Sequence, residues 1–170
     1  QGGHIKGRTI RLYLVDGTPT GILTAEIINW TGTVVVVPRS QLADIAKREE
    51  VRRTGIYLLV GPDPERPNRD SLYVGESDNV WKRLTEHDKD DKKDFWTRTA
   101  IISSKDSNLT KAHVRYLESR LVEKAKAAER ASLSNSTNPP TPSLPEPDVA
   151  DMEYFLDQIL LVLPALGFGF

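Results

Sequence analysis

The hydrophobic positions in residues 8–50 follow the two-residue period of β-strands. Residues 8–15 (RTIRLYLV) alternate apolar and polar side chains, which is typical of a half-buried strand. Residues 21–28 are a weaker candidate for the returning strand, and residues 33–37 (TVVVV) predict a buried strand that ends at a proline. A short helix is expected over residues 41–48. This segment is therefore interpreted as a small β-rich layer that packs on the rest of the protein, since it is too short to bury a core of its own.

The stretch from 55 to 87 predicts a β-hairpin followed by a helix. The first strand opens with GIY at 55–57, and the second closes with YVG at 73–75. The intervening loop is polar and rich in proline, and both strands are rich in β-branched and aromatic residues. A helix is expected to follow at once, with Ser77 or Asp78 as its cap.

The rest of the chain predicts one more core strand and two long helices. Residues 95–103 are the third core strand, and residues 111–131 form a helix with an apolar stripe, which closes a core at 51–131. Residues 132–147 contain five prolines and predict an extended connection. Residues 148–170 predict an apolar C-terminal helix that packs on the core or on a second chain.

Composition limits the class of protein. The chain has 170 residues, of which 38% are hydrophobic and 28% are charged, as in a soluble globular domain. Its longest apolar runs are far shorter than a membrane span. The chain has no cysteine, which excludes disulfides and thiolate zinc sites, and a cytoplasmic location is expected. Residues 1–7 are interpreted as a start that takes no part in the fold.

The charge is unevenly distributed along the chain. The net charge is −1, which offers no general attraction to nucleic acid. Residues 51–131, however, carry 17 Lys and Arg against 14 Asp and Glu, whereas residues 132–170 carry five acids and neither Lys nor Arg. Residues 88–94 (DKDDKKD) are interpreted as a solvated loop, since their spacing matches no calcium loop. Packing is expected for Trp30 and a surface ion pair for Arg39.

Four side chains of the hairpin and its helix form a candidate site. Tyr57 and Tyr73 fall on neighbouring strands, and Arg83 and His87 share one helical face. Two phenols, a guanidinium and an imidazole on one surface are suited to phosphate chemistry. Glu118 lies at the edge of the apolar stripe of the later helix, where a carboxylate needs a partner. An internal salt bridge and a divalent cation both satisfy that need.

The GIY and YVG tripeptides, Arg83 with His87, and Glu118 together resemble the GIY-YIG nuclease family. The resemblance covers roughly residues 53–138. It implies an α+β fold whose core is a small three-stranded antiparallel sheet flanked by helices, here preceded by the N-terminal β-rich layer.

The resemblance also implies a metal-dependent endonuclease that hydrolyses DNA phosphodiester bonds. Glu118 would be the ligand of Mg²⁺, with Mn²⁺ as its substitute, and Arg83 would hold the scissile phosphate. Tyr57 and Tyr73 would position the attacking water, with Tyr73 ranked as the residue that activates it and His87 assisting.

The resemblance further implies that Gly75 and Asn135 lie at the substrate.

Two departures from the family pattern stand out. Glu76 occupies a place where some members have Lys, and two asparagines, Asn135 and Asn138, compete for the closing position, of which Asn135 is preferred. A silent nucleic-acid-binding module and a protein-interaction module on the same fold remain the alternatives, and the oligomeric state is left open.

Overall fold

Over the residues that the structure describes, the protein has an α+β fold built on a seven-stranded mixed sheet. A computed structural model describes residues 7–135 and 138–169. The strands run in the order β1-β2-β3-β6-β4-β5-β7, and every pairing is antiparallel except that of β5 with β7. Their bounds are Ile10–Leu14 (β1), Leu23–Ile27 (β2), Gly32–Pro38 (β3), Gly55–Pro62 (β4), Asp70–Ser77 (β5), Arg98–Ser104 (β6) and Ser132–Leu133 (β7). The expected start over residues 1–7 lies, apart from Gly7, outside the described residues.

The expectation of a small three-stranded sheet is wrong. The predicted core strands β6, β4 and β5 do pair as an antiparallel set, but β3 pairs with the other edge of β6 from Gly32↔Ser104 to Pro38↔Arg98. The N-terminal strands therefore continue the sheet and do not form a layer on top of it. The physical reason lies in the valines of β3, which are buried on both faces and need a covered, central position.

In the described ranges, three α-helices cover the sheet. Their bounds are Val80–Asp88 (α1), Lys111–Ala128 (α2) and Glu146–Ala165 (α3). Asn79, and neither Ser77 nor Asp78, caps α1, because its side chain accepts a hydrogen bond from the Lys82 amide at 3.2 Å. Short 3₁₀ turns replace the helix expected at 41–48. Within the described residues, no helix is long and apolar enough to cross a membrane.

The sheet separates two hydrophobic clusters. One cluster joins α2 and α3 to side chains such as Leu58 and Val74, so the apolar C-terminal helix docks on the chain's own sheet. The other joins α1 and the 3₁₀ turns to the opposite face, where Tyr57 is buried and Tyr73 is partly buried. The two-residue period of β4 and β5 thus sends both tyrosines toward α1.

Candidate active site

Tyr57, Tyr73 and His87 form an aromatic cluster between the hairpin and α1. The Tyr57 hydroxyl lies 2.7 Å from His87 Nε2, which is a hydrogen-bond distance. The Tyr73 ring centroid lies 6.2 Å from that of Tyr57 and 5.4 Å from that of His87. Tyr57 and His87 are buried, at 1% and 3% exposure, whereas Tyr73 reaches the surface. The structure therefore brings three of the predicted residues together and pairs the imidazole with Tyr57.

The register of the hairpin explains why the GIY and YVG tripeptides belong together. Tyr57 lies opposite Gly75, and Tyr73 lies opposite Leu59, so the two tyrosines are diagonal neighbours on one face. A Cβ added at Gly75 would overlap the ring and the hydroxyl oxygen of Tyr57. Gly75 therefore makes the space in which the phenol reaches His87. The expected contact of Gly75 with substrate stays a prediction.

Burial sets the protonation of this pair. Burial, followed by the charges of Arg83 and Lys93, lowers the pKa of His87 to about 4. Burial, followed by repulsion from Tyr73, raises the pKa of Tyr57 well above its ordinary value. At neutral pH the imidazole is therefore unprotonated and the phenol retains its proton.

Arg83 is placed on the site's solvent side. Its Nη1 donates to Glu86 Oε1 at 2.9 Å, and about half of its side chain is exposed. Its charge is close enough to lower the pKa of both Tyr57 and His87. An exposed helical ion pair contributes little stability, so the guanidinium is available to exchange Glu86 for another anion.

Glu118 projects from α2, the helix on the other face of the sheet. Burial and then repulsion from Glu76 raise the pKa of Glu118 to about 7. Glu118 also raises the pKa of Tyr73, second to burial, so it lies within electrostatic reach of the aromatic cluster. Both carboxylates line a cleft of about 270 Å³ together with Arg115 and three prolines of the connection before α3.

The residues in this cleft suit a divalent cation. Glu118 forms no ion pair within the described part of the chain, so the internal salt bridge that was one alternative for its carboxylate is not formed there. Glu76 is paired with Lys111, whose Nζ lies 2.6 Å from Glu76 Oε2. Residues 7–135 and 138–169 contain no group of three or more His, Asp or Glu side chains able to hold a metal. Mg²⁺ commonly uses one or two carboxylates together with substrate phosphates, so this small donor set fits it.

Asn135 bonds the backbone of β5 through both ends of its side-chain amide. Its Oδ1 accepts from the Val74 amide at 3.0 Å, and its Nδ2 donates to the Val74 carbonyl at 2.8 Å. This pair of bonds continues the short β5–β7 pairing and fixes β5 between its two site residues, Tyr73 and Gly75. Substrate binding by Asn135 stays a prediction, while its observed contribution is to hold the strand.

The sequence interpretation missed two residues beside the cluster. Lys93 Nζ lies 4.5 Å from the centroid of the Tyr73 ring. Arg39 is expected to make a surface ion pair and does bond Asp88, but it also holds the loop that carries Lys93. The local pattern gives no signal for either role, because both depend on contacts between distant segments.

Comparisons of the chain with protein-family models, with curated proteins and with solved structures find no match. The resemblance to GIY-YIG nucleases therefore rests on the residues of this chain alone.

Proposed function

We propose that the protein is a metal-dependent endonuclease that hydrolyses phosphodiester bonds, with DNA as the expected substrate. The observation that supports it most directly is the 2.7 Å contact between the Tyr57 hydroxyl and His87 Nε2, in a pair that is neutral at physiological pH. A buried phenol joined to an unprotonated imidazole is a ready path for a proton.

The proton path follows from this pair. As a water oxygen attacks phosphorus, its proton moves to the Tyr57 oxygen, and the Tyr57 proton moves to His87 Nε2. The bond from phosphorus to the leaving oxygen breaks in the same displacement. A group with a pKa of about 4 is a weak base, but the negative charge of a bound phosphate raises its affinity for a proton. Tyr73, the more exposed phenol, orients the water, so the proposal moves proton transfer from Tyr73 to Tyr57.

Arg83 and the acidic cleft complete the site. Arg83 leaves Glu86 and pairs with the scissile phosphate, whose oxygens match its planar fork. Mg²⁺, or Mn²⁺ in its place, would be held by Glu118 with Glu76 beside it and would neutralise negative charge on the leaving oxygen. Glu118 must be ionised to do so, which its pKa of about 7 permits in the physiological range.

A nicking assay on supercoiled plasmid tests the proposal. Wild-type protein with Mg²⁺ should convert supercoiled to nicked DNA, and Glu118→Gln and Tyr57→Phe should each lower the rate at least a hundredfold, as expected for loss of a metal ligand or a proton-transfer group. Glu123→Gln and Tyr154→Phe are the matched controls, since Glu123 is exposed on the same helix and Tyr154 is exposed on α3. Cleavage that persists undiminished in Glu118→Gln would refute the assigned site.

The same assay separates the silent binding module from the enzyme. The contact that favours the silent module is the Glu76–Lys111 ion pair. In this pair the Lys111 ammonium takes the position beside Glu76 that a metal ion would occupy. DNA binding that weakens with salt, without cleavage in Mg²⁺ or Mn²⁺, would support that alternative.

A further inference from the structure

We propose that Lys93 is a second phosphate-binding residue of the site and that Arg39, which directly follows β3, positions it. The inference rests on the proposed nuclease function and adds a substrate contact to it. Lys93 follows α1 at the end of a 3₁₀ turn, Asp91–Lys93, and its ammonium lies over the Tyr73 ring.

Lys93 is the cation of this loop that faces the site without an acidic partner. Three of the acids around it are engaged elsewhere: Asp88 and Asp94 pair with Arg39, and the Asp90 side chain accepts from the Lys92 amide at 3.0 Å. In the part of the chain that the structure describes, Lys93 forms no ion pair. An unpaired ammonium beside a partly exposed tyrosine is placed to receive an anion.

Lys93 and Arg83 act on the same imidazole. The charges of both lower the pKa of His87, after burial, whereas Asp90 and Glu86 raise it. The two cations are therefore both near the aromatic cluster, although they come from different segments. A phosphodiester backbone presents a negative charge at every nucleotide, so a second cation beside the cluster binds the phosphate next to the one held by Arg83.

Arg39 holds the loop that carries Lys93. Its guanidinium donates to the Asp88 carboxylate at 2.7 Å and to the backbone carbonyls of Asp88, Asp94 and Trp96 at 2.9, 3.1 and 3.2 Å. The guanidinium carbon also lies 4.6 Å from the centroid of the Trp96 ring. These bonds tie both ends of the loop to the end of β3. Arg39 is therefore a positioning residue, which acts on substrate through Lys93.

Binding of a DNA duplex gives the test. Affinity of a fluorescein-labelled duplex is measured by anisotropy in Ca²⁺ between about 50 and 200 mM NaCl, with cleavage in Mg²⁺ measured in parallel. Lys93→Gln should weaken binding about three- to tenfold and reduce the slope of log affinity against log salt by about 1, the value for one lost phosphate contact. Lys93→Arg should restore both values. Lys92→Gln, the same charge change at the exposed neighbouring residue, should leave both unchanged.

Arg39→Gln tests the positioning role. It should reproduce the loss in affinity and slope, and the double variant with Lys93→Gln should bind no more weakly than either single variant, because both remove one contact. Additive losses would overturn the role of Arg39. Urea denaturation confirms that each variant is folded at the assay temperature.

The outcomes distinguish the two proposals. If wild-type protein cleaves DNA and Lys93→Gln behaves like Lys92→Gln, the role of Lys93 is refuted and the nuclease function stands. If wild-type protein neither binds nor cleaves DNA, both are refuted.

Discussion

Acidification should destabilise the fold through His87. The pKa of His87 is lowered from 6.5 to about 4 by burial first and by the cations Arg83 and Lys93 next, against the opposing charges of Asp90 and Glu86. Between these two values the unfolded chain binds a proton that the folded chain does not bind. The free energy of unfolding therefore rises with pH across this interval and falls as the pH is lowered from 6.5 toward 4.

The size of the effect follows from the same interval. At about 1.4 kcal/mol for each pKa unit, the change from 6.5 to about 4 corresponds to at most about 3 kcal/mol. A loss of this size is large compared with the free energy of unfolding of a typical domain, which is roughly 5–15 kcal/mol.

Urea denaturation at a series of pH values measures this effect. Other titrating groups contribute to the wild-type curve, so the comparison is with His87→Gln, which cannot titrate and keeps a polar group beside Tyr57. The wild-type free energy minus that of the variant should fall by about 2–3 kcal/mol between pH 7 and pH 4. A difference that stays constant within about 0.5 kcal/mol, the usual limit of additivity, would refute the assignment of a buried, neutral imidazole.

Three further changes test the site and its support. Gly75→Ala should lower the free energy of unfolding by about 1–3 kcal/mol in urea denaturation, because the new Cβ would overlap the Tyr57 ring. An unchanged midpoint would contradict the position of Tyr57 against Gly75. Glu153→Gln should cost about 1 kcal/mol near neutral pH, since it weakens the Arg120 contacts at 2.8 and 3.0 Å. The pKa of Glu153 is lowered to about 2 by Arg120, so its contribution is lost as the pH falls through that value, and the two proteins should converge in acid. Wild-type stability should have a component that falls as the pH rises from 4.5 to about 7, because in this interval the folded state, with its raised Glu118 pKa, binds a proton that the unfolded chain has lost. Glu118→Gln should remove this component. Parallel pH profiles for the two proteins would argue against a half-buried carboxyl.

The sequence predicts the local parts of the site well. A proline-rich loop between two β-rich runs indicates a hairpin, and helical spacing places Arg83 and His87 on one face. The hairpin pattern places Tyr57 and Tyr73 on neighbouring strands, and the structure has them there, on one face. These relations depend on residues within about one hairpin or one helical turn of each other, where periodicity is informative.

Long-range relations are harder to predict. The valines of β3 indicate a buried strand but not its partner, so the pairing with β6, far along the chain, was missed. Lys93 lies in a charge run that is typical of a solvated loop, and only the bonds of Arg39 reveal its orientation. Asn135 likewise reads from the sequence as a polar residue in an extended connection, and only the structure shows its two bonds with Val74.

The pairing of β3 with β6 through seven register positions limits how far the protein can be shortened from its N-terminal side. A truncation that starts after residue 50 keeps every residue proposed for catalysis, yet it strips one side of β6 along its entire length. The bared amide and carbonyl groups would invite pairing with other molecules, and a minimal fragment of this kind should aggregate where the intact chain does not. The residues proposed for catalysis and the strands that cover the edge of β6 thus lie in separate segments of the chain.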